Sequence, residues 1–99
     1  MKLMVVRVNV KFLGVFRGLS GKSQFCVELT EANVKNLIQK LVETFPTDFK
    51  RALIDPELED PRPNALILVN GKEISVLGGL ATSISDGDEI ILISVSHGG

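Results

Sequence analysis

The stretch Thr30–Pro46 reads TEANVKNLIQKLVETFP, and it decides the fold because it predicts one long amphipathic helix. Thr30 is a favourable N-cap, Glu31 places negative charge in the first turn, and Pro46 ends the helix. The apolar side chains recur with helical spacing and form one stripe: Val34, Leu37, Ile38, Leu41, Val42 and Phe45. Because such a stripe is stable only when buried, we expect this helix to cover a sheet.

Strand patterns occur on both sides of this helix. Before it, alternating apolar and polar residues predict the strands Leu3–Phe12 and Ser23–Leu29, with a glycine-rich loop over Leu13–Lys22 between them. After it, we expect a short helix carrying Phe49 and Leu53, and then an exposed acidic connection with three prolines. Three further strands are predicted, over Ala65–Val69, Lys72–Leu77 and Glu89–Val95.

The predicted order of elements is strand, strand, helix, strand, strand, strand. The last strand contains Ile90–Ile93, which is apolar on both faces, as central strands often are. We expect the first and last strands to lie side by side and parallel, with the helix across one face. This arrangement is an α+β fold, the ubiquitin-like β-grasp roll, with a mixed sheet of four to five strands and one main helix packed on one face.

Length, charge and residue counts limit the function. The 99 residues are enough for one domain, spanning residues 1–99. Eleven basic and twelve acidic residues give a net charge of -1, so the chain lacks the basic surface typical of nucleic-acid or membrane binding. One cysteine, Cys26, and one histidine, His97, predict no metal site and no histidine-based catalytic triad. We expect a cytoplasmic protein that is not an enzyme on its own and holds no bound cofactor.

One face of the predicted sheet has no helix to cover it. If Ile67 and Leu92 point toward the helix, alternate residues of the same strands lie on the opposite face. Those residues are Leu66, Leu68, Ile91, Ile93 and Val95. An uncovered apolar surface of this kind predicts a partner-binding site. The alternative is that the connection 47–64 folds over this face.

The sequence ends in Gly98-Gly99, which closes a tail over residues 94–99 that we expect to be flexible. Glycine has no Cβ, so such an end can enter a narrow channel in another protein and present its carboxylate there. Adenylation by ATP would turn this carboxylate of Gly99 into an electrophile that sulfur or a lysine amine can attack. His97 is either an ordinary tail residue or part of the surface that an activating enzyme contacts.

The sequence resembles the MoaD and ThiS family of ubiquitin-like sulfur carriers, which includes the small archaeal modifier proteins. The residues that carry this resemblance are Ile67–Ile74, Leu77–Leu80, Asp86–Ile90 and Gly98-Gly99. The ending His97-Gly98-Gly99 is similar to that of the eukaryotic ubiquitin-related modifier, which serves tRNA thiolation. The segment Ser94–His97 departs from MoaD, which commonly has prolines and a small residue just before its glycine doublet.

The resemblance implies a function for the terminus. Gly99 would be adenylated by a MoeB-like or ubiquitin-activating-type enzyme that uses ATP, and its thiocarboxylate would donate sulfur. In MoaD the acceptor is the molybdopterin precursor held by the large subunit MoaE, and Ile93 and Val95 match positions that contact this subunit. Sulfur transfer for tRNA thiolation and conjugation to lysines of target proteins stay open, as does a passive β-grasp interaction module.

Overall fold

A mixed five-stranded sheet is the framework of the chain, which a computed structural model describes over residues 4–95. The strands are β1 (Val6–Leu13), β2 (Gln24–Leu29), β3 (Ala65–Val69), β4 (Lys72–Glu73) and β5 (Glu89–Ser94). Their spatial order is β2-β1-β5-β3-β4. The central pair β1 and β5 is parallel, and the other pairs are antiparallel. The predicted α+β arrangement, with parallel first and last strands, is therefore confirmed.

Within residues 4–95, three α-helices accompany the sheet: α1 (Val15–Ser20), α2 (Val34–Thr44) and α3 (Thr47–Leu53). Two short 3-10 helices, Ile74–Val76 and Gly79–Ala81, lie between β4 and β5. No helix within residues 4–95 has the length and apolar character needed to cross a bilayer. The short helix expected to carry Phe49 and Leu53 is present as α3, with both side chains fully buried.

The main helix begins later than predicted. Its N-cap is Asn33, whose side chain accepts a hydrogen bond of 2.8 Å from the backbone N–H of Asn36. Thr30 is not the cap because residues 32–34 pair with another part of the chain. The backbone N–H of Val34 donates to the carbonyl of Thr82 at 3.0 Å, which keeps the preceding residues out of the helix.

Two further segments differ from the prediction. The expected loop Leu13–Lys22 contains the helix α1, because Phe16 is buried against Phe49 with ring centroids 5.5 Å apart. The expected strand Lys72–Leu77 stops after two residues. There the chain turns into a 3-10 helix that buries Ile74.

The core lies between the sheet and the helices. The α2 stripe buries Val34, Leu37, Ile38 and Leu41 against the inward residues of the strands. Phenylalanine rings close the core beside the end of α2. Phe12 of β1 makes edge contacts with Phe45 and Phe49, at centroid separations of 5.5 and 5.7 Å. These contacts join β1, α2 and α3 on one side of the sheet.

The connection from α3 to β3 is fixed by local hydrogen bonds. Its first part folds back on itself where the backbone N–H of Asp55 donates to the carbonyl of Asp60 at 3.0 Å. The Arg62 guanidinium binds the Asp60 carboxylate, with a shortest separation of 2.6 Å. This hydrogen bond holds the pKa of the Asp60 carboxyl below its ordinary value. The connection is therefore an ordered wall beside α2.

Candidate functional site

The face of the sheet opposite α2 carries the residues predicted as a binding surface. Ile67 and Leu92 are completely buried on the helix side, whereas Leu66 is 38% exposed on the other side. The outward residues of β3 and β5 lie next to each other, because Leu66 pairs with Ile93 and Leu68 with Ile91. We call the surface formed by Leu66, Leu68, Ile91, Ile93 and Val95 the apolar patch.

The connection 47–64 does not cover this patch, so that alternative is wrong. Phe49 of α3 packs on Phe12 and Phe45, which belong to the helix side of the sheet. Ile54 and Pro61 line a groove together with α2 residues on that same side. The connection folds this way because its apolar side chains find partners in the helix-side core.

The sequence interpretation missed the part of this surface that comes from β1. Leu13 pairs in parallel register with Ile93 and is 43% exposed. Val15, at the start of α1, is also exposed. The alternation of β1 was a usable signal, because Leu13 continues the outward positions of that strand. Placing it beside Ile93, however, requires the parallel register of β1 and β5.

Polar side chains occupy the other half of the same face, on β1 and β2. The Arg7 guanidinium lies 3.0 Å from the Glu28 carboxylate, and the Asn9 amide donates to Gln24 at 3.1 Å. Cys26 also lies in this half, with its side chain exposed. Exposed pairs of this type contribute little to stability, but they hydrate the surface. The apolar area is thus confined to β3, β5 and the end of β1.

The apolar patch ends at Val95, the last of the described residues, and hydrogen bonds hold the chain there. Ser94 pairs with Ala65, and the backbone N–H of Val95 donates to the carbonyl of Asn64 at 3.0 Å. On the other side of β5, the Ser94 hydroxyl accepts a hydrogen bond of 3.1 Å from the backbone N–H of Val15. The remaining predicted site residues, His97, Gly98 and Gly99, lie outside the described residues 4–95.

Gly14 makes the contact between α1 and the end of β5 possible. We call Ser94 and Val95 the root of the tail. Its φ of 67° and ψ of -141° suit glycine, and a Cβ there would lie 2.0 Å from the Ser94 hydroxyl oxygen. The close approach lets α1 begin directly beside β5. Gly14 is therefore a positioning residue for the strand that precedes the tail, and no motif in the sequence marked it.

The sequence matches the family described as Urm1 (Ubiquitin related modifier) over residues 7–99. The chain belongs to this family. It is also 27% identical over 95 residues to Small archaeal modifier protein 3 of Haloferax volcanii, covering 95% of this chain and 100% of that protein.

Solved structures agree with this assignment. The small archaeal modifier protein 1 of Methanosarcina acetivorans superposes with a TM-score of 0.82 and 26% identity, over 97% of this chain and 99% of that one. A putative molybdopterin converting factor, subunit 1, from Pyrococcus furiosus gives a TM-score of 0.72 and 25% identity, over 92% and 99%. The predicted β-grasp fold and the resemblance to ubiquitin-like sulfur carriers and modifiers are confirmed. Members of this group are small carrier or modifier proteins rather than enzymes.

Two of the motifs that carried the resemblance lie at the other end of β5, the Asn-Gly and Asp-Gly-Asp turns. The Asn70 amide donates to the Asp88 carboxylate at 2.9 Å, and its carbonyl oxygen accepts from the N–H of Glu89 at 2.9 Å. Asn70 and Gly71 have φ of 50° and 83°, as a tight hairpin turn requires. The Asn-Gly and Asp-Gly-Asp motifs are thus joined in one structural clamp.

Proposed function

We propose that this chain is a ubiquitin-like carrier whose terminal Gly99 carboxylate is adenylated with ATP by a ubiquitin-activating-type, MoeB-like enzyme. The apolar patch is the surface that this enzyme grips. One observation carries the proposal, namely that the patch runs along β5 to Val95, four residues before Gly99. Four residues span at most about 14 Å, so one partner can hold the patch and the reacting carbon together.

Activation changes the chemistry of the last carbonyl carbon. A carboxylate oxygen attacks the α-phosphorus of ATP, pyrophosphate leaves, and an acyl-adenylate forms. A hydrosulfide ion, or a donor of sulfur in the same oxidation state, then attacks the carbonyl carbon. The C–O bond to AMP breaks, AMP and a proton leave, and a thiocarboxylate remains. If a lysine amine attacks an activated acyl form instead, an isopeptide bond forms as the leaving group departs and the nitrogen loses a proton. The carrier supplies the handle, and its partners supply the catalysis.

The family match favours the sulfur and modifier roles over a passive interaction module. The acceptor is a finer question. Membership of the Urm1 family and the ending His97-Gly98-Gly99 support sulfur transfer toward tRNA, with conjugation to lysines as the second outcome. The likeness to a putative molybdopterin converting factor supports a MoaE-like acceptor as the alternative. All three uses start from the same activated Gly99 in the cytoplasm.

The test is intact mass spectrometry of the protein after incubation with ATP, magnesium, a hydrosulfide source and a MoeB-like, ubiquitin-activating-type enzyme. We expect the mass increase that corresponds to oxygen replaced by sulfur, located on the C-terminal peptide. Adding one alanine after Gly99 should abolish this change, because the added residue displaces the carboxylate from the active centre.

The matched control carries the same additional alanine after Met1 and should react like the unmodified protein. If the protein extended after Gly99 is activated as well as the control, terminal activation is wrong. A protein that binds the enzyme but never forms an adenylate would instead support the passive module.

A further inference from the structure

A groove lies on the helix side of the sheet, between α2 and the connection that follows α3. It has a volume of about 660 Å³ and is open to solvent. Its floor is formed by the apolar side chains Ile38, Val42, Ile54 and Leu80. None of its lining residues belongs to the apolar patch or to the root of the tail. A volume of this size is typical of ligand sites.

The rim of the groove is positively charged. Lys35 of α2 and both Lys50 and Arg51 of α3 line it, against one acidic residue, Glu59. The whole chain has eleven basic and twelve acidic residues, so this excess is local. The Arg51 guanidinium lies 3.7 Å from the Asp48 carboxylate, which offsets part of its charge. Lys35 and Lys50 form no ion pair with another residue of the range 4–95.

The wall opposite α2 is held in place before any ligand arrives. The backbone N–H of Glu59 donates to the carbonyl of Asp55 at 2.7 Å, and the Asp60–Arg62 ion pair closes the same loop. Pro61, which lines the groove, is buried. A wall fixed in this way loses little conformational entropy on binding, which favours affinity.

We infer that this groove binds an acidic segment of a partner protein. Apolar side chains of that segment lie on the floor, and its carboxylates pair with Lys35 and Lys50. Charge complementarity selects an acidic occupant, because a basic segment would meet Lys35 and Lys50, unpaired within residues 4–95, and the partly offset Arg51, against one carboxylate at Glu59. The groove and the apolar patch lie on opposite sides of the sheet, so both can be occupied at once. A target protein can therefore be held while an activating enzyme grips the patch. The inference needs no chemistry at Gly99.

The test uses the full-length protein labelled with nitrogen-15 and the peptide acetyl-DELLEDFLEE-amide as the probe. We expect saturable shifts of the backbone amide signals of Lys35, Gln39 and Glu59, with little change at Ile91 and Ile93. The counterpart acetyl-KKLLKKFLKK-amide has the same apolar residues and the opposite charge. It should bind about tenfold more weakly or not at all.

Two double variants separate the groove from the general charge of the protein. Lys35→Glu with Lys50→Glu should weaken binding of the acidic peptide by about tenfold or more. Lys40→Glu with Lys72→Glu makes the same change in net charge at exposed sites outside the groove and should retain most of the affinity. Both pairs are on the surface, so the urea midpoint should stay close to that of the unmodified protein.

Three results would overturn the inference. The first is no saturable binding of the acidic peptide at about millimolar concentration. The second is binding that shifts the signals of the apolar patch instead of the groove. The third is an equal loss of affinity in both double variants, which would show that only the overall charge matters. None of these results bears on the proposed activation of Gly99, which the extended protein tests separately.

Discussion

Strand β5 is held differently at its two ends. At its first residue, Glu89, the Asn70 side chain joins the two neighbouring turns through hydrogen bonds to Glu89 and Asp88. The backbone N–H of Arg7 also donates to the Asp86 carboxylate at 2.8 Å. At the other end, the exposed side chains are apolar, and the Val95 N–H makes one backbone hydrogen bond, to Asn64. One end is a polar clamp, and the other is an apolar surface that reaches Val95.

This difference separates the residues that specify the fold from those available for recognition. The Asn-Gly and Asp-Gly-Asp motifs, which made the sequence resemble its family, belong to the clamp. Strand β5 connects the clamp to Val95, and its role is to fix the position of that residue. A family resemblance based on the clamp is therefore evidence for the β-grasp fold, while the proposed chemistry rests on the glycine doublet. Substitutions at each end of β5 test separately whether that end serves recognition or stability.

The largest effect is expected at the apolar patch. Leu68→Asp with Ile93→Asp places two carboxylates where the proposed activating enzyme meets the sheet. We expect kcat/KM for ATP-dependent adenylation to fall roughly a thousandfold, because two buried contacts of the interface each contribute about 2 kcal/mol. The rate of pyrophosphate release measures this effect. The midpoint of urea unfolding should change little, since both side chains are only partly buried.

A matched control adds the same charges to the polar half of the same face. Gln24→Glu with Cys26→Asp changes two exposed residues of β2, away from the patch. This variant should be adenylated at nearly the rate of the unmodified protein. If it loses as much activity as the patch variant, repulsion of charge explains both results and the patch has no specific role.

The second prediction concerns the glycine beside the tail root. Gly14→Ala places a Cβ 2.0 Å from the Ser94 hydroxyl oxygen and forces alanine into a conformation that suits glycine. We expect the free energy of unfolding to fall by about 3 kcal/mol in urea titrations. Gly21→Ala is the control. Gly21 also has a positive φ, of 72°, but its added Cβ would meet no described atom within 4 Å beyond those of its chain neighbours, so about 1 kcal/mol is expected. Equal losses for both would mean that contact with Ser94 contributes nothing.

The parts of the fold predicted from sequence are those set by local periodicity. The stripe of α2 and the alternation of β3 and β5 identified the helix and the two faces, because burial repeats every 3.6 residues in a helix and every two in a strand. The orientation of Leu66, Leu68, Ile91 and Ile93 followed directly. Whether these residues bind a partner, and what Gly98-Gly99 does, stay predictions.

The missed features all depend on contacts between distant segments. Helix α1 has only six residues and contains Gly18, so its sequence gives little helical signal. Its burial comes from the contact of Phe16 with Phe49, 33 positions along the chain. The true N-cap of α2 was hidden because Thr30 and Asn33 are both good caps. The choice between them is made by the pairing of residues 32–34 with residues 82–84. Leu13 joined the candidate site only through its parallel register with Ile93.

The smallest effect is expected at the clamp. Asn70→Gly keeps the positive φ of 50° available and removes only the side-chain hydrogen bonds to Asp88 and Glu89. These groups are exposed, so water replaces the lost partners and the free energy of unfolding should fall by about 1 kcal/mol in urea titrations. The rate of adenylation of the folded variant should equal that of the unmodified protein. A variant that keeps its stability but loses adenylation would show that the enzyme contacts the clamp. Both ends of β5 would then belong to the enzyme-binding surface.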